Sequence, residues 1–140
     1  MQLAGRHALV TGASRGIGRA VALALAARGC RLTLVARDQS ALEAVKFGVE
    51  SFGRQAVVRA ADLSDPNETA RLALDVLAGG AVPNILVNNA GVLVLAELVD
   101  MTDESIREQL QINLVTPIAL TRSLLTEMRA QGDGAIVNLL

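Results

Sequence analysis

Five short apolar runs, separated by longer segments of helical periodicity, narrow the possible folds more than any other feature of this chain. They are HALV (7–10), RLTLVA (31–36), AVVRA (56–60), NILVN (84–88) and AIVNLL (135–140). Each is shorter than a helix and nearly continuous rather than alternating, the pattern of a parallel strand covered on both faces. The intervening segments carry helix signals. Ser40 with Glu43 has capping-box spacing. Asp65-Pro66 with Glu68 places an acid at the N-cap, a proline at the first helical position and a second acid at the third. Thr102 precedes Asp103 and Glu104, acids that a helix dipole favours. Gly29, Gly53 and Gly79-Gly80 stand where helices should stop. The order β-α-β-α-β-α-β-α-β predicts one α/β domain over residues 1–140. Its architecture is an open, doubly wound parallel sheet of about five strands with helices on both faces.

Composition excludes several function classes. The net charge of −1 argues against a polyanion-binding surface, so no nucleic-acid partner is expected. The single cysteine, Cys30, permits neither an intrachain disulfide nor a CxxC metal site, and no metal is expected. No run of 18 apolar residues suggests a membrane span, and MQLAGRHALVTG lacks the apolar core of a signal peptide. A cytoplasmic location is the expectation. The chain has no Tyr and no Trp, and Lys46 is its only lysine. A mechanism that needs a tyrosine acid or base cannot run on these residues alone.

The strongest local signal lies in ALVTGASRGIGRAVALALAARG (8–29). Thr11-Gly12-Ala13-Ser14-Arg15-Gly16-Ile17-Gly18 follows a strand and opens a helix. Gly12 suits a tight turn, Gly16 allows the backbone to approach a pyrophosphate, and Gly18 lets the helix pack closely on the strand. Free N–H groups at the positive end of the helix favour an anion there.

With this loop the sequence resembles the short-chain dehydrogenase/reductase family, whose TGxxxGxG motif it matches. The resemblance covers all 140 residues. Asn88-Asn89-Ala90-Gly91 is the family's second motif, Asn113 in INL matches its helical asparagine, and GAIVNLL resembles its G-x-I-V-N-I-S-S strand. The resemblance implies a Rossmann-type fold, a dinucleotide cofactor and hydride transfer between its nicotinamide and a carbonyl or alcohol. It also implies that Asp62 contacts the adenine, supported by the backbone N–H of Leu63, and that Asn89, Ala90 and Gly91 line the cofactor. A homo-oligomer is implied for the complete family member.

The choice of dinucleotide rests on the end of the second run. NAD readers usually place an acid there to hold the ribose 2′-OH. In this chain that position is Ala36, followed by Arg37. Together with Arg15 and Ser14 in the glycine loop, this favours NADP over NAD. Asp38 stands next, either to repel a phosphate or to cap the following helix.

A helix is predicted from Thr102 to about Gln131, with an apolar stripe of Ile106, Leu110, Pro117, Leu124 and Met128. Asn113 falls on that stripe, so it is either a core hydrogen bonder or functional. Pro117 has no N–H to give the Asn113 carbonyl, which leaves a kink or a carbonyl free to hold a water. The resemblance assigns that carbonyl to a proton relay, and makes Asn113 the one member of the Asn-Ser-Tyr-Lys tetrad present.

In the family alignment Leu140 takes the place of the first Ser of the last strand, and the catalytic Ser and Tyr-x-x-x-Lys would follow. The expectation is a cofactor-binding part of such an enzyme, cut within its fifth strand and inactive alone. The alternative is a non-catalytic dinucleotide-binding module, alone or complemented by another chain. Among the remaining residues, His7 is expected at the surface and Cys30 packed at the start of the second strand. Leu93, Val94 and Leu95 read more as packing residues than as a substrate entrance.

Overall fold

The computed structural model describes residues 2–139, so Leu140 at the aligned serine position lies outside the described residues. The five apolar runs form strands β1 (His7–Thr11), β2 (Arg31–Ala36), β3 (Ala56–Ala60), β4 (Ile85–Asn88) and β5 (Ala135–Asn138). Among the described residues they make one parallel sheet in the order β3-β2-β1-β4-β5. The helices between them are α1 (Gly16–Ala27), α2 (Gln39–Glu50), α3 (Pro66–Ala78), α4 (Asp103–Leu110) and α5 (Thr116–Ala130). The strand order reverses between β1 and β4, which opens a crevice at the carboxyl ends of these strands.

Successive strand residues point to opposite faces, and the core divides accordingly. Ala8, Val10, Leu32, Leu34, Ile85 and Val87 pack with α1 and α2 through Ala22, Ala26, Leu42, Val45 and Val49. Leu9, Val35 and Leu86 pack on the other face with Leu72, Ala73 and Val76 of α3 and Leu120, Leu124 and Met128 of α5. The expectation of strands covered on both faces holds for β1 and β4, whose residues are all buried. It fails at the two edges. Val57 of β3 is 44% exposed and Val137 of β5 45% exposed, because an edge strand has a neighbour on one side only. Ile136 and Leu139 are exposed too, where the sequence suggested a buried strand.

Local chemistry accounts for the helix ends. Asp65 caps α3 by accepting from Asn67 N–H at 2.8 Å, and Thr102 caps α4 by accepting from Ser105 N–H at 3.1 Å. Gly29, Gly53 and Gly80 take positive φ just past α1, α2 and α3, as a helix stop requires. The Ser40/Glu43 capping box is not used. Asp38 is the N-cap of α2 and accepts from Ala41 N–H at 3.0 Å, so α2 starts before Ser40.

The long helix expected from Thr102 is divided. Residues Gln111–Val115 form a π-helical turn, closed by Thr116 N–H donating to the Gln111 carbonyl five residues back. The extra residue of that turn rotates the two halves relative to one another. Ile112, Thr116, Leu120, Leu124 and Met128 therefore make the buried row, while Leu110 is 52% exposed and Pro117 only half-buried.

His7 is buried at 3% exposure, not at the surface. Its backbone pairs with Asn84, and its Nε2 lies 2.8 Å from Thr33 Oγ1 on β2. Among the described residues no partner meets its Nδ1 in hydrogen-bond geometry. Burial, helped by Arg31, lowers its pKa below the ordinary 6.5. As pH falls through 6.5, the unfolded chain takes up a proton that the folded chain refuses. Stability should therefore be full above pH 6.5 and fall below it, by at most about 1.4 kcal/mol per pH unit for one group. Urea melts between about pH 7 and 5 check this. A His7→Gln variant should show a flatter dependence over that range, and an unchanged slope would contradict the assignment. Cys30 is fully buried just before β2, as expected.

Candidate cofactor site

The site begins where β1 ends. The chain turns at Gly12 (φ 63°) and Gly16 (φ 54°), and α1 starts at Gly16 with Arg15 as an extended N-cap residue. Among the described residues no side chain caps this helix start, which leaves its first N–H groups for another partner. The glycines have different surroundings. A Cβ on Gly18 would lie 2.2 Å from the Gly12 carbonyl oxygen, so its absence brings α1 against the turn. A Cβ on Gly16 would meet nothing within 4 Å, so it would stand in the open cradle before the helix. Such a cradle, with N–H donors at the positive end of α1, suits a phosphate or pyrophosphate.

A second loop is sewn to the first. The Thr11 hydroxyl accepts from the N–H groups of Asn89 and Ala90, both at 3.0 Å, and donates to the Val87 carbonyl. Asn89 Nδ2 donates to the Thr11 and Gly12 carbonyls at 3.0 and 3.1 Å. The Asn89 side chain thus braces the glycine turn while the residue still lines the crevice. Asn88 is buried beneath and donates from Nδ2 to Asn138 Oδ1 on β5 at 2.8 Å.

Asn113 sits in the π-helical turn and clasps the next residue of this loop. Its Oδ1 accepts from Val92 N–H at 2.9 Å, and its Nδ2 donates to the Val92 carbonyl at 2.8 Å. A Cβ on Gly91 would lie 3.1 Å from Asn113 Oδ1. Gly91 thus leaves room for Asn113 to approach the loop while still lining the crevice. The Asn113 side chain does not line the crevice.

The crevice has a volume of about 570 Å³. Gly12, Ser14, Arg15, Gly16, Ile17, Arg37, Asp62, Leu63, Asn89, Ala90 and Gly91 line it. Of the expected cofactor residues only Gly18 stands behind the wall, consistent with its packing. Ala36, Asp38, Val92 and Ile112 complete much of the lining. Val92 directly follows the NNAG motif and Ile112 directly precedes Asn113, but no pattern in the sequence marks either as a site residue. Asp38 lines the same end as Arg37, with its carboxylate engaged in the α2 cap. The Ser64 hydroxyl at 2.7 Å and N–H at 3.0 Å hold the Asp62 carboxyl below the usual range, with Arg37 adding to the effect.

Fold and site together define an α/β protein with an anion cradle at the topological switch point. The short chain dehydrogenase family model matches residues 6–140. A fatty acyl-CoA reductase of Acinetobacter baylyi is 35% identical over 137 residues, covering 96% of this chain and 46% of that protein. The L-sorbose reductase of Gluconobacter frateurii, solved with NADPH and L-sorbose, superposes with a TM-score of 0.92 at 30% identity. That superposition covers 99% of this chain and 54% of the reductase. A metagenomic short-chain oxidoreductase solved with NADP gives 0.91 at 39% identity, covering 99% and 63%. The chain belongs to the short-chain dehydrogenase/reductase family of oxidoreductases. It spans about half the length of the curated relatives it matches.

Proposed function

We propose that residues 1–140 are the cofactor-binding domain of an NADP(H)-dependent oxidoreductase acting on a carbonyl or alcohol. The observation that carries this reading is the open cradle at Gly16, continuous with a crevice whose far end holds Arg37 and no acid at Ala36. Related enzymes of the family have been solved with NADP or NADPH. When bound, the nicotinamide supplies the hydride chemistry.

The chain's own residues bind and orient. The N–H groups at Gly16 and Ile17 receive the pyrophosphate. Arg37, with Arg15 and Ser14, holds the 2′-phosphate, and Asp62 with the Leu63 N–H faces the adenine edge. Asn89, Ala90 and Gly91 form the wall beside the ribose and nicotinamide. Asn113 keeps that wall in place, and its main-chain carbonyl, denied an i+4 donor by Pro117, is available to a relay water. A cytoplasmic location and assembly of the complete enzyme into a homo-oligomer belong to the same reading. No helix among the described residues is long and apolar enough to cross a membrane. The second reading is a dinucleotide-binding module without catalysis of its own, alone or complemented by another chain.

Arg37→Ala tests the cofactor choice. A charge-assisted hydrogen bond contributes about 1.5–3 kcal/mol, so the variant should bind NADP roughly ten- to a hundredfold more weakly. NAD, which has no 2′-phosphate, should be affected little. Equal losses for the two cofactors in calorimetry would refute the assignment.

A further inference from the structure

Thr116 has no place in the site read from the sequence, yet its hydroxyl is committed to it. Thr116 is 2% exposed, on the first turn of α5. Its Oγ1 donates to the Leu63 carbonyl at 2.7 Å and accepts from Gln111 Nε2 at 3.3 Å. On the other side of the same loop, Glu68 Oε2 accepts from the Asp62 N–H at 2.6 Å. Glu68, in the first turn of α3, thus serves the loop that precedes its own helix.

These two bonds hold the peptide units on either side of the Asp62–Leu63 peptide. The Ser64 N–H and hydroxyl fix the Asp62 carboxylate as well. Among the described residues no acceptor meets the Leu63 N–H, and both Asp62 and Leu63 line the crevice. The loop thus presents a fixed acceptor, the Asp62 carboxylate, beside a fixed donor, the Leu63 N–H. A 6-aminopurine edge offers the complement, an amino donor beside a ring-nitrogen acceptor. A 6-oxopurine offers the reverse.

We propose that Thr116 and Glu68 are positioning residues that set the selectivity of this site for a 6-aminopurine over a 6-oxopurine base. Thr116 also ties the base-recognition loop to the π-helical turn carrying Asn113, so the two ends of the crevice share one anchor. This inference rests on the dinucleotide reading above.

The test compares NADP with nicotinamide hypoxanthine dinucleotide phosphate by calorimetry, on the 140-residue chain and on T116V, T116S and E68A. The unaltered chain should prefer NADP by about tenfold, the size of one mismatched polar contact. T116V, of similar shape but without the hydroxyl, should lose about tenfold for NADP and little for the hypoxanthine analogue. T116S should keep the preference. E68A, on a different helix, should reduce it as T116V does, which keeps a readout if T116V does not fold. A purely structural role would weaken both ligands alike. Equal losses for the two ligands in T116V and in E68A, or an intact preference in both variants, would overturn the proposal. An unaltered chain that binds neither ligand would overturn the dinucleotide reading itself.

Discussion

Gly18→Ala should destabilise the chain by about 3 kcal/mol or more, whereas Gly16→Ala should cost about 1–2 kcal/mol and act mainly on ligand binding. The added methyl is the same, and the difference comes from its surroundings. At Gly18 it would lie 2.2 Å from the Gly12 carbonyl oxygen and 2.4 Å from Asn89 Nδ2. The carbonyl is backbone at the tightest point of the turn. Asn89 cannot swing aside without abandoning its bonds to the Thr11 and Gly12 carbonyls. Overpacking usually costs 1–3 kcal/mol, and a contact with fixed backbone belongs at or above the upper end. At Gly16 the methyl meets no atom within 4 Å, so the stability cost is that of a positive φ of 54°. The same methyl would occupy the cradle before α1. Loss of one or two charge-assisted N–H bonds to phosphate should weaken NADP by roughly ten- to a hundredfold. Urea denaturation separates the two effects, with a lowered midpoint and unchanged slope for Gly18→Ala. A Gly18→Ala chain as stable as the unaltered one would contradict the packing described for the first turn.

Purified as 140 residues, the chain should show no substrate-dependent NADPH oxidation with a panel of ketones. A positioned general acid contributes typically 10²–10⁴-fold, and no Tyr exists in the chain to serve as one. The only lysine, Lys46, lies on α2, 3.8 Å from Glu43, and does not line the crevice. The Asn113 side chain is held by Val92 and, as a carboxamide, has no labile proton with which to replace a missing acid. If the chain is the cofactor part of an oxidoreductase, a partner segment supplying Ser and Tyr-x-x-x-Lys in register with β5 should restore turnover. Turnover by the isolated chain that Gly16→Trp abolishes would overturn the expectation and require a different acid.

The exposed apolar residues beyond the NNAG motif also depart from the sequence reading. Leu93 is 75% and Leu95 87% exposed, although both read as packing residues. The segment is held at its start through backbone bonds, by Asn113 at Val92 and by Gln109 at Val94, rather than by burial of its own side chains.

What this sequence determined by itself was whatever depends on neighbours along the chain. The apolar runs defined the strands, because strand length and continuous hydrophobicity are local properties. Gly12, Gly16 and Gly18 located the cradle, because a turn followed by a helix start requires them at that spacing. Asp65 and Thr102 marked helix starts for the same reason. Tertiary structure decided wherever two distant segments compete for one polar group or one face. His7 is buried where Asn84, just before β4, and Thr33 of β2 come to it. Leu110 faces solvent because the π-helical turn, which lets Asn113 reach Val92, shifts the helix register by one residue. Thr116 serves Leu63, 53 positions away in sequence, and a hydrogen bond across that separation leaves no periodicity to read.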